Sequence, residues 1–191
     1  MISAAKYLQS LVDVASRVRD KREVGSPGEE RTLSIAIRQY IKWSESDGGY
    51  HNRRFLPVLV VVTARPKQQI SSISKEITDQ LRFLAKKHRD ALALPGPEHV
   101  NELGEVKLYS RRPPILYGII IAQSITIFVT LDSSNPDGKV RTISHFDFKK
   151  PRMEVWNALA VAMIVIMARN YMMSIKDELE VDDDPVSDPD A

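Results

Sequence analysis

Apolar residues follow three patterns along this chain, and each change of pattern marks a new element. Ala4, Leu8, Leu11, Val12, Ala15 and Val18 keep to one face of a 3.6-residue period and predict an amphipathic helix over residues 3–22. Gly25-Ser26-Pro27-Gly28 breaks it. A second helix is expected from Glu29 to Ser44, with Leu33, Ala36, Ile37, Tyr40 and Ile41 on its buried face. Glu29 and Glu30 suit the positive end of its dipole, and Ser46-Asp47-Gly48-Gly49 ends it.

The pattern then changes. Phe55 to Thr63 is an almost unbroken apolar run rich in valine, the signature of a strand covered on both faces inside a sheet. Pro57 is tolerable near its start, and Pro66 closes it. Helical spacing returns over residues 68–92 with Ile70, Ile73, Ile77, Leu81, Leu84 and Leu92, and Phe83 flanks that stripe. Lys86-Lys87-His88-Arg89 falls in the last turns, where positive charge is favoured and His88 reads as a surface residue. The stretch 93–112, with Pro95, Gly96, Pro97 and Gly104, is long enough to be functional, mobile or an insertion.

Two apolar strands follow, Ile115–Ala122 and Ile125–Leu131, around a two-residue break at Gln123-Ser124. After a turn over 132–138, Val140, Ile143 and Phe146 alternate with polar neighbours in a third strand over 139–148. Pro151 opens a final helix that runs through Trp156, Leu159, Met163, Ile166 and Met167 to Lys176. The order α-α-β-α-β-β-β-α predicts an α/β fold with a mixed central sheet flanked by helices. One domain is expected over residues 1–176, with an N-terminal helical part (1–46) and a core (55–173).

Composition narrows the chemistry. The absence of cysteine excludes disulfides, thiolate metal sites and a cysteine nucleophile, and it fits a reducing compartment, cytoplasmic or nuclear. The longest charge-free apolar run, Val155 to Ala168, has 14 residues, short of the ~20 that span a bilayer. It is therefore expected to be a core helix with no membrane role. Trp156, Met163, Met167, Met172 and Met173 lie on that helix, and any side the sheet leaves uncovered would be a partner surface or homodimer interface.

The net charge of +2 hides an asymmetry. From Asp177 onward there are eight acids and no Lys or Arg, so the rest of the chain carries 27 basic against 17 acidic residues. A basic body fits a nucleic-acid surface, and residues 177–191 are expected to form a disordered acidic tail. The basic groups are Arg17/Arg19/Lys21/Arg22, Arg53/Arg54, Lys86/Lys87/Arg89, Arg111/Arg112 and Lys149/Lys150/Arg152. His51, His88, His99 and His145 show no metal-ligand spacing. There is no Gly-x-Ser-x-Gly elbow and no phosphate-cradling glycine loop.

Three segments resemble the PD-(D/E)XK, or restriction-endonuclease-like, superfamily, and within it a fungal nuclease-like group. They are FLPVLVVVTARP, the helix ISSISKEITDQLRFLAKKH with Gln80 at a position often occupied by glutamine, and PPILYGIIIAQSITIFVTLDSSNPDGKVRTISHFDF. The resemblance covers residues 55–173. It implies that an upstream acid and an acid-x-Lys at the end of the central strand hold Mg²⁺ against a phosphodiester. Here those last positions are Thr63 and Arg65. A threonine lacks the charge a hard dication needs, and an arginine binds phosphate without acting as a base.

Asp47 is a candidate for the upstream acid, although its Ser-Asp-Gly-Gly setting also explains it as a turn residue. The weak catalytic candidates are thus Asp47, Thr63, Arg65 and Gln80. The nucleic-acid-binding candidates are Arg65, Lys86, Lys87 and Arg89, with Arg65 and Gln80 expected near one another. The resemblance implies an inactive nuclease-fold module that binds nucleic acid or a protein. Two alternatives stand: a Mg²⁺-dependent nuclease with relocated acids (Asp47 or Asp132), and an interaction domain unrelated to nucleases.

Overall fold

The structure, a computed structural model, describes residues 4–23, 28–96 and 108–181, with 20–23 described by backbone alone. Among these residues the order of elements is the expected one. Helices α1 (Ala4–Glu23) and α2 (Glu29–Gly48) precede strand β1 (Leu59–Thr63) and helix α3 (Ile70–Leu92). Strands β2 (Ile115–Ala122), β3 (Ile125–Asp132) and β4 (Arg141–Asp147) then lead to helix α4 (Glu154–Ile175). The four strands form one mixed sheet in the order β1-β2-β3-β4.

Topology follows from the connections. The β1–α3–β2 crossover makes its two strands parallel neighbours, with Thr63 beside Ile121, because a helix can return the chain to the same end of a sheet. The Gln123-Ser124 break is a tight hairpin that makes β2 and β3 antiparallel. Gln123 closes it at φ +53, in the left-handed region.

The run Phe55–Thr63 differs from its sequence reading in two ways. Only Leu59–Thr63 is strand, and that strand lies at the sheet edge, only partly buried. The central, doubly covered strand is β2, whose residues from Leu116 to Ile121 are all buried. Pro57 has no N–H for a ladder, and its carbonyl lies 3.1 Å from His88 Nε2. A continuous apolar run cannot distinguish a central strand from an edge strand whose faces are both packed on helices.

Helix α3 covers one face of the sheet with Ile73, Ile77, Leu81 and Ala85. A Cβ at Gly118 would come within 2.6 Å of Val129 and 3.1 Å of Ile77, so a glycine lets α3 approach there. On the other face lie α2 and α4, with α1 outside them against both. Arg38 of α2 donates to the Val61 carbonyl at 3.0 Å, which ties α2 to the free edge of β1.

Several boundaries move for local reasons. Helix α4 starts at Glu154 rather than at Pro151, because Arg152 takes a left-handed φ of +64. Helix α2 continues to Gly48 and ends on Gly49 at φ +72, a C-terminal geometry that glycine adopts readily. Residues 177–181, expected to begin a disordered tail, are held. Arg53 donates to the Leu179 carbonyl at 2.8 Å, Arg54 N–H to the Glu180 carbonyl at 3.0 Å, and Arg111 pairs with Glu178. Residues 182–191, the Gly25-Ser26-Pro27 break, and Pro97, His99 and Gly104 of the 93–112 loop lie outside the described residues.

Helix α4 buries Ala158, Val161, Ile164, Val165, Ala168 and Met172 against the fold. With its short 3₁₀ extension it is, by length and composition, long and apolar enough to cross a membrane. The 14-residue count understated this, because the apolar character continues past Arg169. Half of its most apolar stretch is buried inside the domain, as in a core helix.

Candidate functional site

Strand β1 ends in a position fixed by α2. Thr63 Oγ1 donates to Ser34 Oγ at 3.0 Å, and Arg38 Nε donates to the same oxygen at 3.2 Å. Ala64 N–H continues the ladder to the Ile121 carbonyl at 2.7 Å. The chain then turns sharply: Arg65 N–H donates to Gln68 Oε1 at 2.9 Å, and Lys67 takes φ +63. Arg65 itself is exposed.

Three helices begin at this end of the sheet. Helix α3 follows directly from β1. Ser34, in the second turn of α2, touches Thr63, and α4 follows Asp147, which pairs with Ile125 beside the hairpin. Helix N-termini present unpaired N–H groups and a positive dipole end, so their convergence favours negative charge here. Three carboxylates answer part of it. Glu29 pairs with Lys149 at 2.7 Å, Glu30 accepts the Gln123 N–H at 3.2 Å, and Glu154 pairs with Arg19 at 2.6 Å. Backbone N–H groups at the start of α4, and then Arg19, hold the Glu154 carboxyl below its ordinary range.

Between these parts lies a cleft of about 700 Å³. Glu29, Glu30, Arg31, Ser34, Thr63, Gln123 and Lys149 supply its polar wall. Arg31, Arg65, Lys67, Lys150 and Arg152 are exposed at this end of the molecule, and none has an ion pair among the described residues. Such a rim can hold a multiply charged anion by electrostatics and hydrogen bonds. A second groove of about 660 Å³, where Tyr7 stacks on Trp43 at 5.8 Å, opens between α1 and α2.

The candidates proposed from the sequence do not gather in one place. Thr63 and Arg65 are at the β1 end. Asp47 is 13 residues beyond Ser34 on α2, about 20 Å along the axis, and pairs with Arg169 at 2.5 Å. Asp132 lies at the other end of the sheet, opposite Ile115. It accepts from Ser134 and Arg112, contacts that hold its carboxyl below the ordinary range despite some burial. Neither acid reaches Thr63. Among the described residues no three Asp, Glu or His side chains form a group able to hold a metal ion.

Gln80 is exposed on α3 and ten residues into it, about 15 Å from the helix start, so the expected proximity to Arg65 is not found. Lys86, Lys87 and Arg89 are farther still, at the C-terminal end of α3. Lys87 lies 4.7 Å above the Phe83 ring, and Arg89 donates to the Ser133 carbonyl at 2.8 Å. His88 is buried, not on the surface; burial lowers its pKa, with the Arg111 charge adding to that effect. A stripe position facing the Pro57 carbonyl explains this, and the basic residues around it concealed it.

Sequence reasoning missed Ser34, Arg31, Gln123, Lys149 and the two N-terminal glutamates as one wall. Glu29 and Glu30 were legible only as dipole partners, and Lys149 only as part of a basic group. No spacing connects positions 30, 63, 123 and 149, because the sheet brings them together. Comparison with known families, with curated proteins and with solved structures gives no match for this chain.

Proposed function

We propose that this domain is a non-cutting, nuclease-like module that holds nucleic acid by its phosphate backbone at the carboxyl end of β1. The observation that carries the reading is a cleft at the N-terminus of α2, at the sheet end where α3 and α4 also begin, beside exposed cations without ion pairs among the described residues. Phosphate oxygens are the ligands such a rim recognises, through arginine forks and helix-end N–H groups. Thr63 in the acid position supports binding without metal-assisted hydrolysis. So does the separation of Asp47 and Asp132 from it, since neither carboxylate can join Thr63 in holding a hard dication.

The test is fluorescence polarisation of labelled single-stranded DNA, duplex DNA and RNA at low and then rising salt. Binding that weakens linearly in log affinity against log salt is expected. Unchanged polarisation at low salt would remove the nucleic-acid reading and leave a protein ligand for the same rim.

The Mg²⁺-dependent alternative retains one supporting observation: Glu29 and Glu30 both line the cleft. Their engagement with Lys149 and the Gln123 N–H opposes it. Plasmid incubated with Mg²⁺ or Mn²⁺ is expected to stay intact. Cleavage that EDTA abolishes and Glu30→Gln removes would establish the enzyme instead.

A further inference from the structure

The uncovered side of α4 is ordered. Trp156, Leu159, Met163, Ile166, Asn170 and Met173 are all exposed, Trp156 at 64% and Met163 at 60%. Their spacings alternate three and four, a seven-residue repeat of a and d positions. This seam matches a second helix packed alongside, since knobs at a and d fill the holes of a facing helix. The opposite side of α4 is already buried in the domain, so the seam is additional to what the fold requires. Val155 and Met167 widen it, at 53% and 49% exposed.

We infer that α4 pairs with α4 of a second copy of this chain, antiparallel about a two-fold axis between positions 164 and 165. In that register Trp156 faces the other copy's Met173, Leu159 faces its Asn170, and Met163 faces its Ile166. Every seam residue thus meets another seam residue, as an isologous interface requires.

The charges at the two ends select both partner and direction. Exposed Lys150 and Arg152 precede α4, and exposed Asp177 and Glu180 follow it. Antiparallel pairing brings the basic end of α4, with Lys150 and Arg152, to the acidic end of the other copy, with Asp177 and Glu180. Parallel pairing would set like charges together at both ends. A bilayer is a poorer occupant, because surface-lying helices carry cations along their polar face whereas the C-terminal end of this seam runs into acids.

The inference shares Lys150 and Arg152 with the nucleic-acid rim, but its test measures mass, so the two readings fail separately. Sedimentation velocity of the full chain across a concentration series should show a monomer–dimer equilibrium. Met163→Glu faces the axis from both copies and should give a monomer with unchanged circular dichroism, since that side chain is exposed in the single chain, and with a melting temperature that no longer rises with concentration. Arg152→Asp alone and Asp177→Arg alone should each weaken the dimer roughly three- to tenfold. An equal mixture of the two should form a mixed dimer of restored affinity, because each copy then supplies the charge the other lacks.

A monomer at every concentration would overturn the proposal, as would a dimer that survives Met163→Glu. A monomer that floats with phosphatidylcholine vesicles and stops floating on Met163→Glu would also overturn it, in favour of lipid.

Discussion

The two ends of the sheet use their arginines differently. At the end marked by Asp132, four arginines are tied into the fold, although Lys86, Lys139 and Arg141 there are exposed without ion pairs among the described residues. Arg89 holds the Ser133 carbonyl, Arg112 pairs with Asp132, Arg111 with Glu178 and Arg169 with Asp47. At the end marked by Thr63, Arg31, Arg65, Lys67, Lys150 and Arg152 are exposed without ion pairs among the described residues. Three helices start there, so the dipoles add to the uncompensated charge. Basic residues that hold loops together are structural cations, and those left facing water at helix N-termini are available to a ligand. Charge counts along the sequence cannot separate these two groups, which is why Arg89 looked equivalent to Arg65.

The comparison predicts a separation of binding from stability. Reversing charge at the open end, with Arg31→Glu and Arg65→Glu together, should weaken nucleic-acid binding on the order of 100-fold at low salt and lower the salt slope by about 2. The melting temperature should hardly move. Equal affinity for variant and parent would break the comparison outright.

The converse change is Arg169→Ala at the tied end. It removes a partly buried ion pair and should cost about 1 kcal/mol in urea unfolding, with solvent screening at Asp47 limiting the loss. Binding should be unchanged. A loss of affinity there would mean that the two ends are not independent.

A third change sharpens the contrast beneath the cleft. Thr126, opposite Ile121 next to the hairpin, is fully buried, and its hydroxyl has no hydrogen-bond partner among the described residues. An unpaired buried hydroxyl is destabilising, so Thr126→Val should raise stability by about 1 kcal/mol. No change, or a loss, in chemical denaturation would show that the hydroxyl is satisfied in solution.

Most of the fold was legible because its elements rest on local periodicity. The stripe Ile73, Ile77 and Leu81 names the buried face of α3, and the valine run names a strand. What failed depended on the third dimension. The central place belongs to β2, and nothing local in Phe55–Thr63 could say whether one strand or two would flank it. His88 lay inside a basic cluster by sequence and inside the core by geometry. Of the candidate site, the position of Thr63 and Arg65 at a strand end was legible. Ser34, Gln123 and Lys149 were not, since only the sheet joins them.

His88 supplies the smallest effect and the most direct check on the tied end. Burial, with the Arg111 charge adding to it, holds its pKa below the ordinary 6.5, although the Pro57 carbonyl pulls the other way. As pH falls the unfolded chain therefore takes up this proton first, and the folded form resists it. The His88 contribution is fully present above 6.5 and is lost as pH drops through 6.5 towards the lower folded value. Glu45 opposes this trend, because burial raises its carboxyl pKa although Lys42 and His51 counter it, so its own contribution grows as pH falls. Comparing melting temperatures of the parent and His88→Gln across this range cancels Glu45. The parent should lose stability relative to the variant as pH falls below 6.5, while nucleic-acid binding by the variant at neutral pH stays at the parental level. Parallel curves would place His88 in water, and the tied end would then be looser than its hydrogen bonds imply.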